Sequence, residues 1–164
     1  DVYKRQIPTM TWSSDPTLER STPEANAVLT ERPNPPSREN IIRNAIKANR
    51  VIGSGPSLQA TDEELAEKAG AAYDRAYRPA GLSRQFAAIQ AQPLWHERLS
   101  ELSVPTLVVH GEVDTLILPQ CGQDVAKRIP NARYVEIADW GHDMPPKAVP
   151  VVLAEVIPFA KEYA

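Results

Sequence analysis

Two segments of this chain set an acid and a base where a proton could pass between them. Gly111-Glu112-Val113-Asp114 and Asp139-Trp140-Gly141-His142 each follow a run of β-forming residues and end on a carboxylate or an imidazole. A carboxylate that accepts from one imidazole nitrogen fixes the tautomer and stabilises the imidazolium. The other nitrogen is then free to take a proton from a hydroxyl nucleophile. Asp114 and His142 are therefore the candidate catalytic residues. Glu112 is the competing acid in the first loop; the spacing after Gly111 favours Asp114, and Glu112 is expected in solvent. A glycine just ahead of each functional group suits a tight turn in which backbone crowds backbone.

Such a pair must be positioned by strands. Val104-Pro105-Thr106-Leu107-Val108-Val109-His110 is a nearly unbroken apolar run, as expected of a parallel strand covered on both faces. A loop over 111–119 follows, then a helix over 120–129 with Cys121, Val125 and Ile129 in line, stopped at Pro130-Asn131. Arg133 to Ile137 alternates as a strand nearer a sheet edge, and Pro150 can open a last helix, kinked by Pro158. Strand, loop, helix, strand, loop, helix predicts a parallel α/β sheet, with ligands beyond the carboxyl ends of its strands.

Upstream the pattern is helical. A short apolar stretch over 7–15 reads as a strand, and residues 16–92 as a helical module broken by proline loops. Thr22-Pro23-Glu24 and Ser37 are helix starts, and Thr61 with Glu64 forms a capping box. Arg78-Pro79 ends the capping-box helix, a further short helix carries Leu82, Phe86 and Ile89, and residues 93–103 form a linker. The acidic run Asp62-Glu63-Glu64 is charge in a first helical turn, favoured by the dipole.

Val104 to Asp114, with Pro119 beyond it, resembles the acid-bearing loop of α/β-hydrolases, and Gly141-His142-Asp143-Met144-Pro145 resembles that family's histidine loop. The helical stretch ahead of the acid strand resembles the lid of that family. Together with Ala80-Gly81-Leu82-Ser83-Arg84-Gln85, these features are most similar to bacterial aclacinomycin-methylesterase-like esterases. The resemblance implies the C-terminal part of a hydrolase core, residues 104–164, with an inserted lid. It also implies the order nucleophile, acid, histidine along the chain. No Gly-x-Ser-x-Gly is present; Gly53-Ser54-Gly55-Pro56-Ser57 has another spacing and no flanking strand and helix. The nucleophile and the oxyanion donors are thus expected upstream, and the chain alone is expected to turn over no ester. Three readings stay open: a serine hydrolase of carboxylic esters, a dehalogenase or epoxide hydrolase with an aspartate nucleophile, and a non-catalytic ligand-binding relative.

Composition removes other classes. The chain has 164 residues, 42% apolar and 24% charged, with 18 Lys plus Arg against 21 Asp plus Glu. Such a balance, with no basic run, argues against nucleic acid or an anionic membrane surface as partner. No apolar run reaches the roughly 18 residues of a spanning helix. One cysteine, Cys121, excludes an internal disulfide and reads as an inert core thiol. His110 ends an apolar strand and reads as structural, while His96 is expected exposed in the linker. With His142 they show no metal-ligand spacing, so no metal and no organic cofactor is implied. Trp12, Trp140, Phe86 and Met144 are candidates either for an apolar pocket or for simple packing. The expected partner is a small-molecule ester; oligomeric state and compartment are not readable. The opening Asp1-Val2-Tyr3-Lys4-Arg5-Gln6 resembles the translation of a transposon end used in sequencing-library preparation, and residues 1–6 are expected to be a non-native scar.

Overall fold

The computed structural model describes residues 12–163. Four helices come first: α1 (Pro23–Thr30), α2 (Arg38–Ile52), α3 (Asp62–Arg75) and α4 (Pro79–Gln90). Their starts are chemically determined. Thr22 Oγ1 accepts from Ala25 N, Ser37 Oγ from Asn40 N, and Thr61 with Glu64 closes a reciprocal capping box. Proline opens α1 and α4, where its missing N–H costs nothing. The linker expected over 93–103 contains a 3₁₀ helix, His96–Glu101, which buries Leu99.

The sheet follows. Strand β1 (Leu107–Gly111), helix α5 (Pro119–Arg128), strand β2 (Arg133–Ile137) and helix α6 (Ala148–Glu162) alternate as predicted. The strands pair in parallel, Leu107 opposite Arg133 through Gly111 opposite Ile137. Among the described residues β1 has a ladder partner on one side only.

Two helical layers cover the two strand faces, which is why β1 is apolar except at His110. On one face Val108 and Tyr134 pack with Leu99, Val125 and Ile129 from the 3₁₀ helix and α5. On the other, Val109, Val135 and Ile137 pack with Leu58, Ala148 and Val152. Burying side chains such as Leu99 and Ile129, both 3% exposed, is worth about 1.5–3 kcal/mol each relative to solvent. Leu58, from the α2–α3 loop, ties the helical segment into the second cluster.

The strand expected over 7–15 is corrected where the structure describes it. Residues 12–15 form no ladder; residues 7–11, like the expected scar over 1–6, lie outside the described residues. Instead the stretch is an extended hook onto α5. Ser13 and Ser14 are buried, Ser13 Oγ donates to Asp124, and Arg128 bridges Asp124 and Asp15. Ser14, at φ 65°, accepts the Trp95 N–H at 2.6 Å. Serine and aspartate hydroxyl and carboxylate groups, not apolar alternation, decide this segment.

Candidate active site

Asp114 and His142 meet. His142 Nδ1 lies 2.9 Å from Asp114 Oδ2, 28 residues away along the chain. The strands make this possible: Gly111 and Ile137 are opposite each other, so the loops after β1 and β2 leave the same sheet edge side by side. Glu112 N donates to Ile137 O at 3.0 Å and Val113 N to Trp140 O at 3.1 Å, which fastens the loops together. A Cβ on Gly111 would overlap the Trp140 backbone, its C at 2.7 Å, so this close approach requires glycine.

The acid is caged. Asp114 is 5% exposed; its Oδ1 accepts from Leu116 N at 2.9 Å and Ile117 N at 2.8 Å, an Asx-type turn that leaves Oδ2 for the imidazole. His110, also buried, sits behind this turn. Its Nε2–H donates to Ile117 O at 2.8 Å, and the same nitrogen is 3.8 Å from Asp114 Oδ2. The structural assignment of His110 therefore has a specific content: it braces the turn that holds the acid. Its ring fits because Gly122 of α5 has no side chain; a Cβ there would be 2.9 Å from His110 Cγ.

The base faces outward. The His142 side chain is 34% exposed against 6% for Asp114. Donating Nδ1–H to a buried carboxylate leaves Nε2 as the proton acceptor, the arrangement a general base needs. Two shallow hollows, of about 340 Å³ beside Trp95, Leu99 and Leu102 and about 260 Å³ between α2 and α3, do not include either residue.

Other candidates separate. Glu112 is exposed, and its carboxylate accepts from Asp139 N at 3.2 Å. His96 is half-buried rather than exposed, because the 3₁₀ helix folds the linker against the core, and its Nδ1 is buried without a partner among the described residues. Cys121 is fully buried, and burial pushes its thiol up to about 11. The four side chains considered for a pocket do not converge. Phe86 and Met144 are exposed, Trp12 lies under the Arg20 guanidinium, and Trp140 packs in the second core cluster while its Nε1–H donates to Asp143 O.

Sequence reasoning missed three polar residues around His142. Asp139, at φ 62°, accepts from Ser57 N at 2.6 Å, and its carboxyl is held below the ordinary range by hydrogen bonds from Ser57. Asp143 and Ser54 hydrogen-bond to each other at 2.6 Å. An aspartate in a left-handed turn position has a local signature. The Ser54–Asp143 contact has none.

The family model for the alpha/beta hydrolase fold matches residues 25–146. The chain belongs to this family. Solved structures agree. An enzyme, Est816, described as degrading N-acyl homoserine lactones is 26% identical, with TM-score 0.53, covering 84% of this chain and 51% of its own. A meta-cleavage product hydrolase from Pseudomonas fluorescens IP01 is 22% identical with TM-score 0.61 over 88% of this chain and 52% of its own. The esterase RhEst1 from Rhodococcus sp. ECU1013 is 18% identical with TM-score 0.58 over 91% and 48%. The chain thus spans about half the length of these alpha/beta hydrolases. No helix among the described residues is long and apolar enough to cross a membrane.

Proposed function

We propose that this chain carries the acid and base of a serine hydrolase of carboxylic esters, with Asp114 orienting and His142 shuttling the proton. The observation that carries the reading is the 2.9 Å contact from His142 Nδ1 to a carboxylate whose other oxygen is already occupied by two backbone N–H groups. That arrangement leaves Nε2 free to deprotonate an attacking hydroxyl and then to protonate the leaving alcohol. The nucleophilic serine and the oxyanion donors lie outside these residues, on the strand–elbow–helix that this family places ahead of the acid. Helices α1–α4 act as the lid that shapes an apolar acyl or alcohol site. The similarity to an enzyme described as degrading N-acyl homoserine lactones, molecules that contain a cyclic carboxylic ester and an amide, supports a carboxylic acyl compound as the substrate class.

The test is made on the protein translated from the full reading frame. A fluorophosphonate should label it, and His142→Ala and Asp114→Asn should each lower ester turnover by about 10²–10⁴-fold. Turnover that survives His142→Ala refutes the reading. Absence of fluorophosphonate labelling, with an alkyl–enzyme ester trapped on an aspartate, would replace it by a dehalogenase or epoxide hydrolase. The 164-residue chain by itself should show no ester turnover.

A further inference from the structure

The histidine loop is gripped from the helical segment as well as from its own strand. Asp143 Oδ1 accepts from Ser54 N at 3.0 Å and from Ser54 Oγ at 2.6 Å, and its Oδ2 accepts from Asn49 Nδ2 at 2.9 Å. Ser54 Oγ in turn accepts from Gly141 N at 3.2 Å. Between these two anchors, the N–H of His142 itself donates to Ile52 O at 2.7 Å. All three consecutive residues, 141 to 143, are thus tied to the end of α2 and the α2–α3 loop.

Ser54 is 3% exposed, so its hydroxyl has no water to fall back on and uses both its donor and its acceptor within this clamp. The backbone contact is equally tight. A Cβ on Gly141 would be 2.7 Å from Ser54 N and would overlap the Gly53 carbonyl, so only glycine lets the two loops touch. With the backbone fixed on both sides, the His142 ring retains only its own side-chain torsions.

We infer that Ser54 and Asp143 are positioning residues that hold the His142 imidazole against Asp114. The inference rests on the acid–base reading above, and it makes the helical segment a fixed part of the base at this end. Neither residue touches the reacting atoms; both act through the backbone of residues 141–143.

The experiment is ¹⁵N NMR of the imidazole nitrogens in this chain at a pH where the rings are neutral, with its three histidines distinguished by single substitutions. In the unaltered chain His142 should show mainly the Nδ1–H tautomer, because Asp114 accepts from that nitrogen, whereas free histidine prefers Nε2–H. Ser54→Ala and Asp143→Ala should each shift the His142 signals towards the Nε2–H pattern. The control is Ser13→Ala, which removes a buried hydrogen bond to Asp124 on α5 and should lower thermal stability without moving those signals. Should Asp143→Ala fail to fold, Ser54→Ala decides alone. An Nδ1–H tautomer that persists in the folded Ser54 and Asp143 variants overturns the clamp and leaves the acid–base pair standing. An equal shift in Ser13→Ala also overturns it, since the signal would then report general loosening. Absence of the Nδ1–H tautomer in the unaltered chain overturns the acid–base reading itself, and the clamp with it.

Discussion

Gly122 lies inside α5, where replacing glycine by alanine ordinarily stabilises a helix by about 1 kcal/mol. Here the sign should reverse. A Cβ at this position would be 2.9 Å from His110 Cγ and 3.2 Å from His110 Cβ, and would overlap Nδ1. The ring cannot simply swing away, because it is 3% exposed and its Nε2–H is committed to Ile117 O. Overpacking costs about 1–3 kcal/mol, and displacing the ring would leave the Ile117 carbonyl unpaired at about 1–3 kcal/mol more. Against the helical gain, Gly122→Ala should lose about 2 kcal/mol net, a fall in Tm of roughly 4–8 °C for a domain of this size. Chemical denaturation should show a lower midpoint with an unchanged slope. A double-mutant cycle isolates the cause. In a His110→Ala background the same substitution should turn stabilising by about 1 kcal/mol, a coupling of about 3 kcal/mol. If Gly122→Ala is neutral or stabilising in the parent chain, or equally harmful in both backgrounds, His110 does not occupy the space the geometry gives it.

Loss of the capping box by Thr61→Ala should cost about 1 kcal/mol, a fall in Tm of roughly 2–4 °C, checked by circular dichroism melting. Asp139 has its folded pKa lowered by the hydrogen bonds from Ser57, so its contribution is present above the unfolded value near 3.8 and is lost as pH falls through the folded value. Asp139→Asn should accordingly flatten stability against pH below about 4, and an unchanged acid limb would contradict the contact. Cys121, with its thiol raised from 9.0 to about 11, should resist iodoacetamide in the folded chain at pH 8 and react once denatured, while stability declines as pH rises from about 9 to 11. Rapid alkylation of native protein at pH 8 would place Cys121 outside the core.

What the sequence reveals here depends on how local the deciding interaction is. The caps at Thr22, Ser37 and Thr61 involve partners three residues away, and all three helices start where those residues stand. The β1–α5–β2–α6 order was readable because an apolar run, a helical stripe and an alternating run each declare their own period. Asp114 and His142 were readable for a related reason, since parallel neighbouring strands must end on one edge. The hook at residues 12–15 has no such local signature, because its path is set by Asp124 and Arg128, more than 100 positions downstream. Ser54 and Asp143, 89 residues apart, belong to the same class. Each looks like an ordinary loop residue until the fold joins them.

The acid–base geometry is decided almost entirely within two strands and one clamp. Because side chains alternate along a strand, a one-residue slip of β2 against β1 would turn Val135 and Ile137 from the α6 layer towards the α5 layer. Such a slip would carry Glu136 into the α6 layer, so the register that brings the two loops together is enforced by the packing of β2. The loops then need only short-range fastening: backbone bonds between residues 112–113 and 137–140 on one side, Ser54 and Asp143 on the other. None of these contacts involves a nucleophile. The Asp114–His142 distance is therefore a property of this segment of the hydrolase fold, and the tautomer of one imidazole reads it without any turnover.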